Sequence, residues 1–428
     1  MKATKLLLLI PLLVVPLSSP CQTFNGRLTT SFYTWERQEP DKNSTQHLRA
    51  YQLLKLTIGE LASPNLSLHT YFQASHDFSE KAKDDPRLWF YGAFLEWKNL
   101  FRVMDLRLGR QQVYAGVGYG TIDGFQLDYR AGKYVSLRGY AGLLPPLHKS
   151  GLGTWKEGHI LGLHVTTTGF KRVRLGLSFV QKNRLPVEYS APGIYTSTFR
   201  LHHPVSSLQQ QLIGLDVWTR VIDRLTFSGR MDLNFAMRQI QRLEIEARAL
   251  PTQKLDIGLD YIFRNPLTDL NSIFSVFAQE SNNEIGLRVG YRFLRQMGVF
   301  GKLTTVVYEG DDAQRLILGF QFGQSLPWQG YLGYNKRLGY GGETDAVVGN
   351  LSVPVTKGLW VRLGSNLSSY RLVESVGDRQ EALAFTLGLN YRMTSRLSLN
   401  AEGQALRNRS VKSDFRLFVR GSYWFSSD

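Results

Sequence analysis

The chain has 428 residues, 51 basic and 35 acidic, for a formal charge of +16, with 40 glycines, 12% aromatic residues and one cysteine, Cys21. One cysteine excludes a disulfide framework and a Cys-x-x-Cys-His site for covalent haem within the chain itself. No stretch beyond Leu17 reaches the roughly 18 apolar residues of a membrane helix, but barrel strands, which interleave lipid-facing and lumen-facing side chains, remain open.

Lys2 and Lys5 followed by the apolar stretch Leu6 to Leu17 form a secretory signal peptide, with Ser19 and Cys21 at the −3 and −1 positions. Pro20 argues against a lipidated Cys21. The expected division is a signal peptide over 1–21 and an outer-membrane β-barrel over 22–428. Without Lys2 and Lys5 the mature chain keeps 49 basic against 35 acidic residues, a charge of +14.

From there the sequence alternates apolar and polar residues in segments of about ten, the signature of a transmembrane β-barrel. Twenty-two strands are expected, centred near residues 30, 53, 71, 92, 107, 126, 138, 163, 176, 213, 230, 244, 259, 288, 303, 318, 332, 348, 363, 386, 401 and 420. Leu255, Ile257, Leu259, Tyr261 and Phe263 alternate with Lys254, Asp256, Gly258, Asp260 and Arg264, and Ile285 to Phe293 repeats the phase. The segments near 92, 332 and 348 are less regular, so 20 strands is an alternative. Every second connection is a tight turn, such as Ile222-Asp-Arg or Met393-Thr-Ser. Those between include the long stretches 144–157, 182–206, 265–282 and 370–380, with one short exception near Ala236. The fold class is therefore all-β: a single antiparallel transmembrane barrel without a plug domain. Its aromatics fit interfacial girdles.

The last strand, Phe415 to Phe425, resembles the aromatic-ended assembly signal of Gram-negative outer-membrane proteins, although Ser426, Ser427 and Asp428 follow. The segments Leu106-Arg-Leu-Gly-Arg-Gln111 and Ile122-Asp-Gly-Phe-Gln-Leu127 resemble a strand-loop-strand of porins and alginate-export-type barrels, with Arg110 and Asp123 placed to pair and Gly109 and Gly124 open to close approach. The barrels of porin–cytochrome conduits are similar in pattern. The resemblance implies an outer-membrane location, with lipid, lipopolysaccharide and the barrel-assembly machinery as partners.

Arg107, Arg138, Arg230, Arg288, Arg292, Lys302 and Arg420 fall on the polar face. A lipid-facing Arg at mid-depth costs roughly 2–4 kcal/mol, so these residues belong in the lumen. The acidic residues Asp216, Asp232, Glu244, Glu246, Asp256 and Asp260 gather on strands ten to thirteen, opposite Arg49, Lys55 and Arg420 in a closed barrel. Opposed arcs give a transverse field, whereas local pairing in a wet lumen gives little. The lumen-lining candidates are thus Arg107, Arg138, Arg230, Asp232, Glu244, Asp260, Arg288, Arg292, Lys302 and Arg420. The eight histidines form no catalytic or metal pattern, and Gly116-Val-Gly-Tyr-Gly120 lacks the Lys-Ser/Thr of a phosphate loop. No catalytic, cofactor or metal site is expected, and charges spread singly along strands exclude nucleic acid as a partner.

Three functions fit: a porin-like channel for small anionic solutes, a sheath around a periplasmic or extracellular multihaem cytochrome, and an exporter of an anionic polysaccharide. Strands about 4.8 Å apart and tilted about 40° give 22 strands a backbone radius of roughly 22 Å. That width is what the sheath reading rests on.

Overall fold

Period-2 alternation gives each strand one face for hydrocarbon and one for a polar interior. The computed structural model, which describes residues 22–38, 44–79, 87–146, 151–167, 169–184, 208–266, 281–323, 326–372 and 377–427, places 22 such strands in one antiparallel sheet. The first eleven are β1 (Thr23–Gln38), β2 (Thr45–Gly59), β3 (Leu66–Asp77), β4 (Arg87–Leu100), β5 (Met104–Ala115), β6 (Gly118–Ala131), β7 (Val135–Leu143), β8 (Gly158–Thr167), β9 (Val173–Arg184), β10 (Leu208–Ile222) and β11 (Leu225–Asn234). The rest are β12 (Gln239–Ala249), β13 (Leu255–Arg264), β14 (Asn282–Leu294), β15 (Met297–Val307), β16 (Asp312–Phe322), β17 (Gln329–Gly339), β18 (Glu343–Pro354), β19 (Leu359–Arg371), β20 (Gln380–Arg392), β21 (Leu397–Arg407) and β22 (Ser413–Ser426). No helix occurs among the described residues. The expected signal peptide lies outside them.

Each strand pairs with its neighbour in sequence, and β1 closes on β22 from Asn25↔Ser426 to Gln38↔Ser413. Closure leaves the sheet no edge strand to satisfy in lipid. Thr29 and Ser422 hydroxyls bond across the seam at 3.2 Å, and Asp414 accepts from Arg37 at 3.0 Å. The residues beyond the final aromatic continue the seam: Ser427 N–H donates to the Phe24 carbonyl at 2.9 Å.

The outer face is apolar. On β14, Ile285, Leu287, Val289 and Tyr291 are exposed, while Glu284, Gly286, Arg288 and Gly290 take the opposite face. Large hydrophobes exposed on nearly every strand would be an aggregation surface in water and are a solvation surface in lipid.

The expected turns join β2–β3, β10–β11, β20–β21 and their counterparts. The other set of connections is less uniform than its sequence suggests. Besides the one near Ala236, those over 308–311, 340–342 and 408–412 are short, and two residues, Gly116 and Val117, join β5 to β6. The long stretches 182–206 and 265–282 fall mostly outside the described residues. The irregular segment near 92 has a physical cause: a bulge at Tyr71/Phe72 opposite Phe90 and Gly92 inserts Tyr91 and reverses the phase of β4.

Candidate permeation pathway

Most of the charges expected in the lumen hold a partner on the inner face. Arg107 pairs with Glu96 at 2.7 Å, and Glu96 also meets His69 at 3.2 Å and Lys98 at 3.4 Å. Arg138 pairs with Asp128 and donates to the Tyr114 carbonyl at 3.0 Å. Arg230 pairs with Asp232 at 3.0 Å, Glu244 with Arg242 at 2.7 Å, and Asp260 with Lys302 at 2.8 Å. The acidic group on β10–β13 is therefore interleaved with its own cations, and much of its field cancels locally.

Three of the ten candidates lack a carboxylate partner among the described residues. Arg288 lies over the Phe300 ring at 5.1 Å and Arg420 over Phe418 at 5.8 Å, while Arg292 makes no ion pair. Arg288 and Arg292 share the field of Asp256, which is already paired with Arg248, so this part of the wall keeps an excess of positive charge.

The β5–β6 hairpin departs from the wall. β4 pairs with β5 only up to Ala93↔Arg110, and β6 with β7 only up to Asp123↔Leu143. Beyond that level β5 and β6 pair with each other alone, as far as Ala115↔Gly118. The tip turns inward. Val117 N–H donates to Ser178 Oγ at 3.1 Å, and Ser178 lies opposite the exposed Leu175 and Leu177 of β9, on the lumen face.

Two glycines allow the crease. Gly109 has φ +125°, and a Cβ there would sit 2.3 Å from the Ala93 carbonyl oxygen; at Gly124 it would sit 2.1 Å from that of Ala141. Arg110 and Asp123 fasten it with a bidentate pair at 2.6 and 2.7 Å. Arg110 also donates to the Phe90 carbonyl at 3.3 Å and to the Gly151 carbonyl at 2.8 Å, tying the crease to β4 and to the β7–β8 connection.

Folding inward creates an apolar cluster inside the barrel. Val113, Ala115, Val117 and Ile122 of the hairpin pack on Tyr140, Leu144, Ile160 and Val180 of the wall. Burying each Val or Ile contributes about 1.5–3 kcal/mol, enough to hold the hairpin against the wall. Its other face carries Tyr114 and Tyr119, 68% and 62% exposed. They line a cavity of about 620 Å³ with His164, Asp216, Arg230 and Glu244.

Away from the hairpin, the inner wall of β1–β4 is aromatic and basic, which the alternation alone did not reveal. Tyr33 stacks on Trp35 (centroids 5.0 Å apart) and Trp35 on His47 (4.5 Å), with Arg49 over Trp35 at 5.3 Å. Tyr71 stacks on Tyr91 at 5.0 Å, and Arg87 lies over Trp89 at 4.4 Å. Lower down, His69 stacks on Phe94 at 4.8 Å beneath Arg107. Opposite these rings, Phe32, Leu48, Leu88 and Phe90 are exposed toward lipid.

No protein-family model matches the chain, and no curated protein matches its sequence. Among solved structures, a mutant of the ferric enterobactin receptor PfeA from Pseudomonas aeruginosa superposes with a TM-score of 0.58 and 11% identity, covering 94% of this chain and 80% of that one. The translocation pore of the P pilus usher PapC gives 0.49 and 10% over 94% and 99%, and OpdQ of Pseudomonas aeruginosa gives 0.46 and 8% over 95% and 98%. At such identities the likeness to the receptor is one of fold. A closed sheet of 22 strands with an apolar exterior and a charged interior satisfies every backbone group without water outside it. The protein has the fold of a closed, 22-stranded transmembrane β-barrel.

Proposed function

We propose that the chain is a passive outer-membrane channel for small solutes, with a modest preference for anions. The observation that carries this reading is the imbalance of charge on the inner wall. Four of the six acidic residues on β10–β13 are held in ion pairs, whereas Arg288, Arg292 and Arg420 make none among the described residues, and Arg288 and Arg292 share only the field of Asp256, already paired with Arg248. A pore wall with more guanidiniums than carboxylates concentrates anions near it. At about 0.1 M salt screening acts over roughly 10 Å, so the preference falls as salt rises. The inward hairpin occupies part of the width on which a cytochrome sheath would depend, which favours the channel over that alternative.

The test is the reversal potential of the purified barrel in a planar bilayer under a KCl gradient. The expected sign is that of chloride preference, and Arg288→Ser with Arg292→Ser should bring it toward zero. A cation-selective pore, or a double variant indistinguishable from the native one, would overturn the anion reading. A haem-staining protein in gentle membrane extracts, coupled to a non-conducting barrel, would favour the sheath instead.

A further inference from the structure

We propose that the cavity at the tight-turn end of β18–β22 binds a compact polyvalent anion, a molecule bearing two or more phosphate or carboxylate charges. The proposal rests on the channel reading for its role in passage and on the lining alone for binding.

Two consecutive turns build the site, at the end of the barrel that faces the periplasm in outer-membrane barrels. Lys357 lies in the turn between β18 and β19, Arg392 ends β20, and Arg396 lies in the turn that follows. Backbone bonds fix both turns: Arg392 N–H donates to the Gly358 carbonyl and Trp424 N–H to the Arg396 carbonyl, each at 2.8 Å. The three cations line one cavity of about 740 Å³ together with Trp360, Trp424 and the facing pair Asn390 and Asn400.

That lining contains no carboxylate. Elsewhere on the inner wall cations and acids interleave, as Arg230 does with Asp232 and Lys302 with Asp260. Lys357, Arg392 and Arg396 make no ion pair among the described residues, and the Arg392 guanidinium reaches the Ser395 carbonyl at 3.5 Å. The next acidic group up β21, Glu402, sits at mid-strand and accepts from Gln404 at 2.8 Å. Beyond the seam, Arg27 stands directly opposite Lys55, again with no ion pair among the described residues. Like charges facing across a ladder are destabilising, and an anion at this mouth screens them.

Guanidinium, ammonium and indole N–H groups are donors only, and each Asn adds an amide N–H₂. Such a lining matches a ligand of acceptor oxygens, which phosphates and carboxylates supply and which guanidiniums take in pairs. A sphere of the cavity's volume is about 11 Å across, close to the screening length at about 0.1 M salt, so one ligand feels all three cations. A monovalent anion balances one of them and leaves two in mutual repulsion; a polyvalent anion balances the set. Turns that hold the cations in place beforehand lower the ordering cost of binding.

The experiment is isothermal titration calorimetry of the full barrel in a non-ionic detergent at about 0.1 M salt. Inorganic pyrophosphate and citrate are the probes, and acetate is the monovalent control. At least one probe should bind about tenfold more tightly than acetate, and the tighter of the two identifies a phosphate or a carboxylate ligand. Arg392→Gln with Arg396→Gln should weaken that binding about tenfold. Lys171→Gln with Arg295→Gln removes the same charge from two other tight turns and should leave it unchanged. Heat-modifiable migration on gels confirms that each variant is folded. Binding of neither probe, affinity no better than that of acetate, or equal weakening by the two double variants overturns the site. A barrel that prefers chloride yet binds neither probe loses the site and keeps the channel reading. A barrel that binds a probe through Arg392 and Arg396 without conducting keeps the site and loses that reading.

Discussion

Arg110 shows how one side chain repairs a break in the wall. When the hairpin turns inward, the upper part of β4 loses its ladder partner, and the guanidinium supplies donors to Phe90 and Gly151 in its place. Its charge is balanced by Asp123, with both side chains less than a tenth exposed. Removing one member of a buried pair leaves an uncompensated charge and costs about 3–5 kcal/mol. Arg110→Ala should therefore lower the temperature at which the folded barrel loses its gel mobility, and Arg110→Met with Asp123→Leu should recover much of the loss. If the single variant melts like the native barrel, the pair does not hold the crease. The pairing of Arg110 with Asp123 was legible from sequence because both flank glycines in facing strands. Its additional bonds to backbone carbonyls were not, since they depend on a departure from the wall that no local pattern announces.

At the scale of elements, the β5–β6 hairpin is where alternation and architecture part company. Val113 and Ala115 alternate with Gln112 and Tyr114 as they would in a wall strand, and the period is the same whether the apolar side meets lipid or an inner wall. Deleting residues 112–121 should raise single-channel conductance about twofold by clearing the lumen beside β7–β10. An unchanged conductance would mean that the hairpin lies outside the limiting section of the pore. The strands β13, β14 and β20 could be read directly because their lipid faces are uniformly apolar. β4 could not, because its bulge reverses the phase midway. The aromatic wall was hidden for a related reason: Tyr33, Trp35 and Trp89 have the composition of an interfacial girdle, and only the register turns them inward.

For the whole molecule, closure of β1 on β22 is what makes the sheet viable in lipid, and it ties the two ends of the chain into one cooperative unit. Samples kept unheated in detergent should migrate anomalously and show β-rich circular dichroism, whereas boiled samples should run at the mass of the unfolded chain. A helical spectrum would contradict the barrel. Charge at this scale was a weaker guide than fold. The excess of +16 is a property of the entire sequence, and the interior field depends on which cations meet a carboxylate across the ladder. Lys302 and Arg288 lie opposite each other on β14 and β15, yet one holds Asp260 and the other a phenyl ring.

The inward hairpin also imposes an order on events. Its docking surface spans β7 to β10 and faces the interior, so it is readily reached while the sheet is still an open, curling ribbon. The hairpin forms from neighbouring strands and needs only the next four to find its berth. The β1–β22 seam joins the two extremes of the chain and has the largest loop-closure entropy to overcome. Docking is therefore expected first and the seam last, with the barrel shutting around a lumen already furnished.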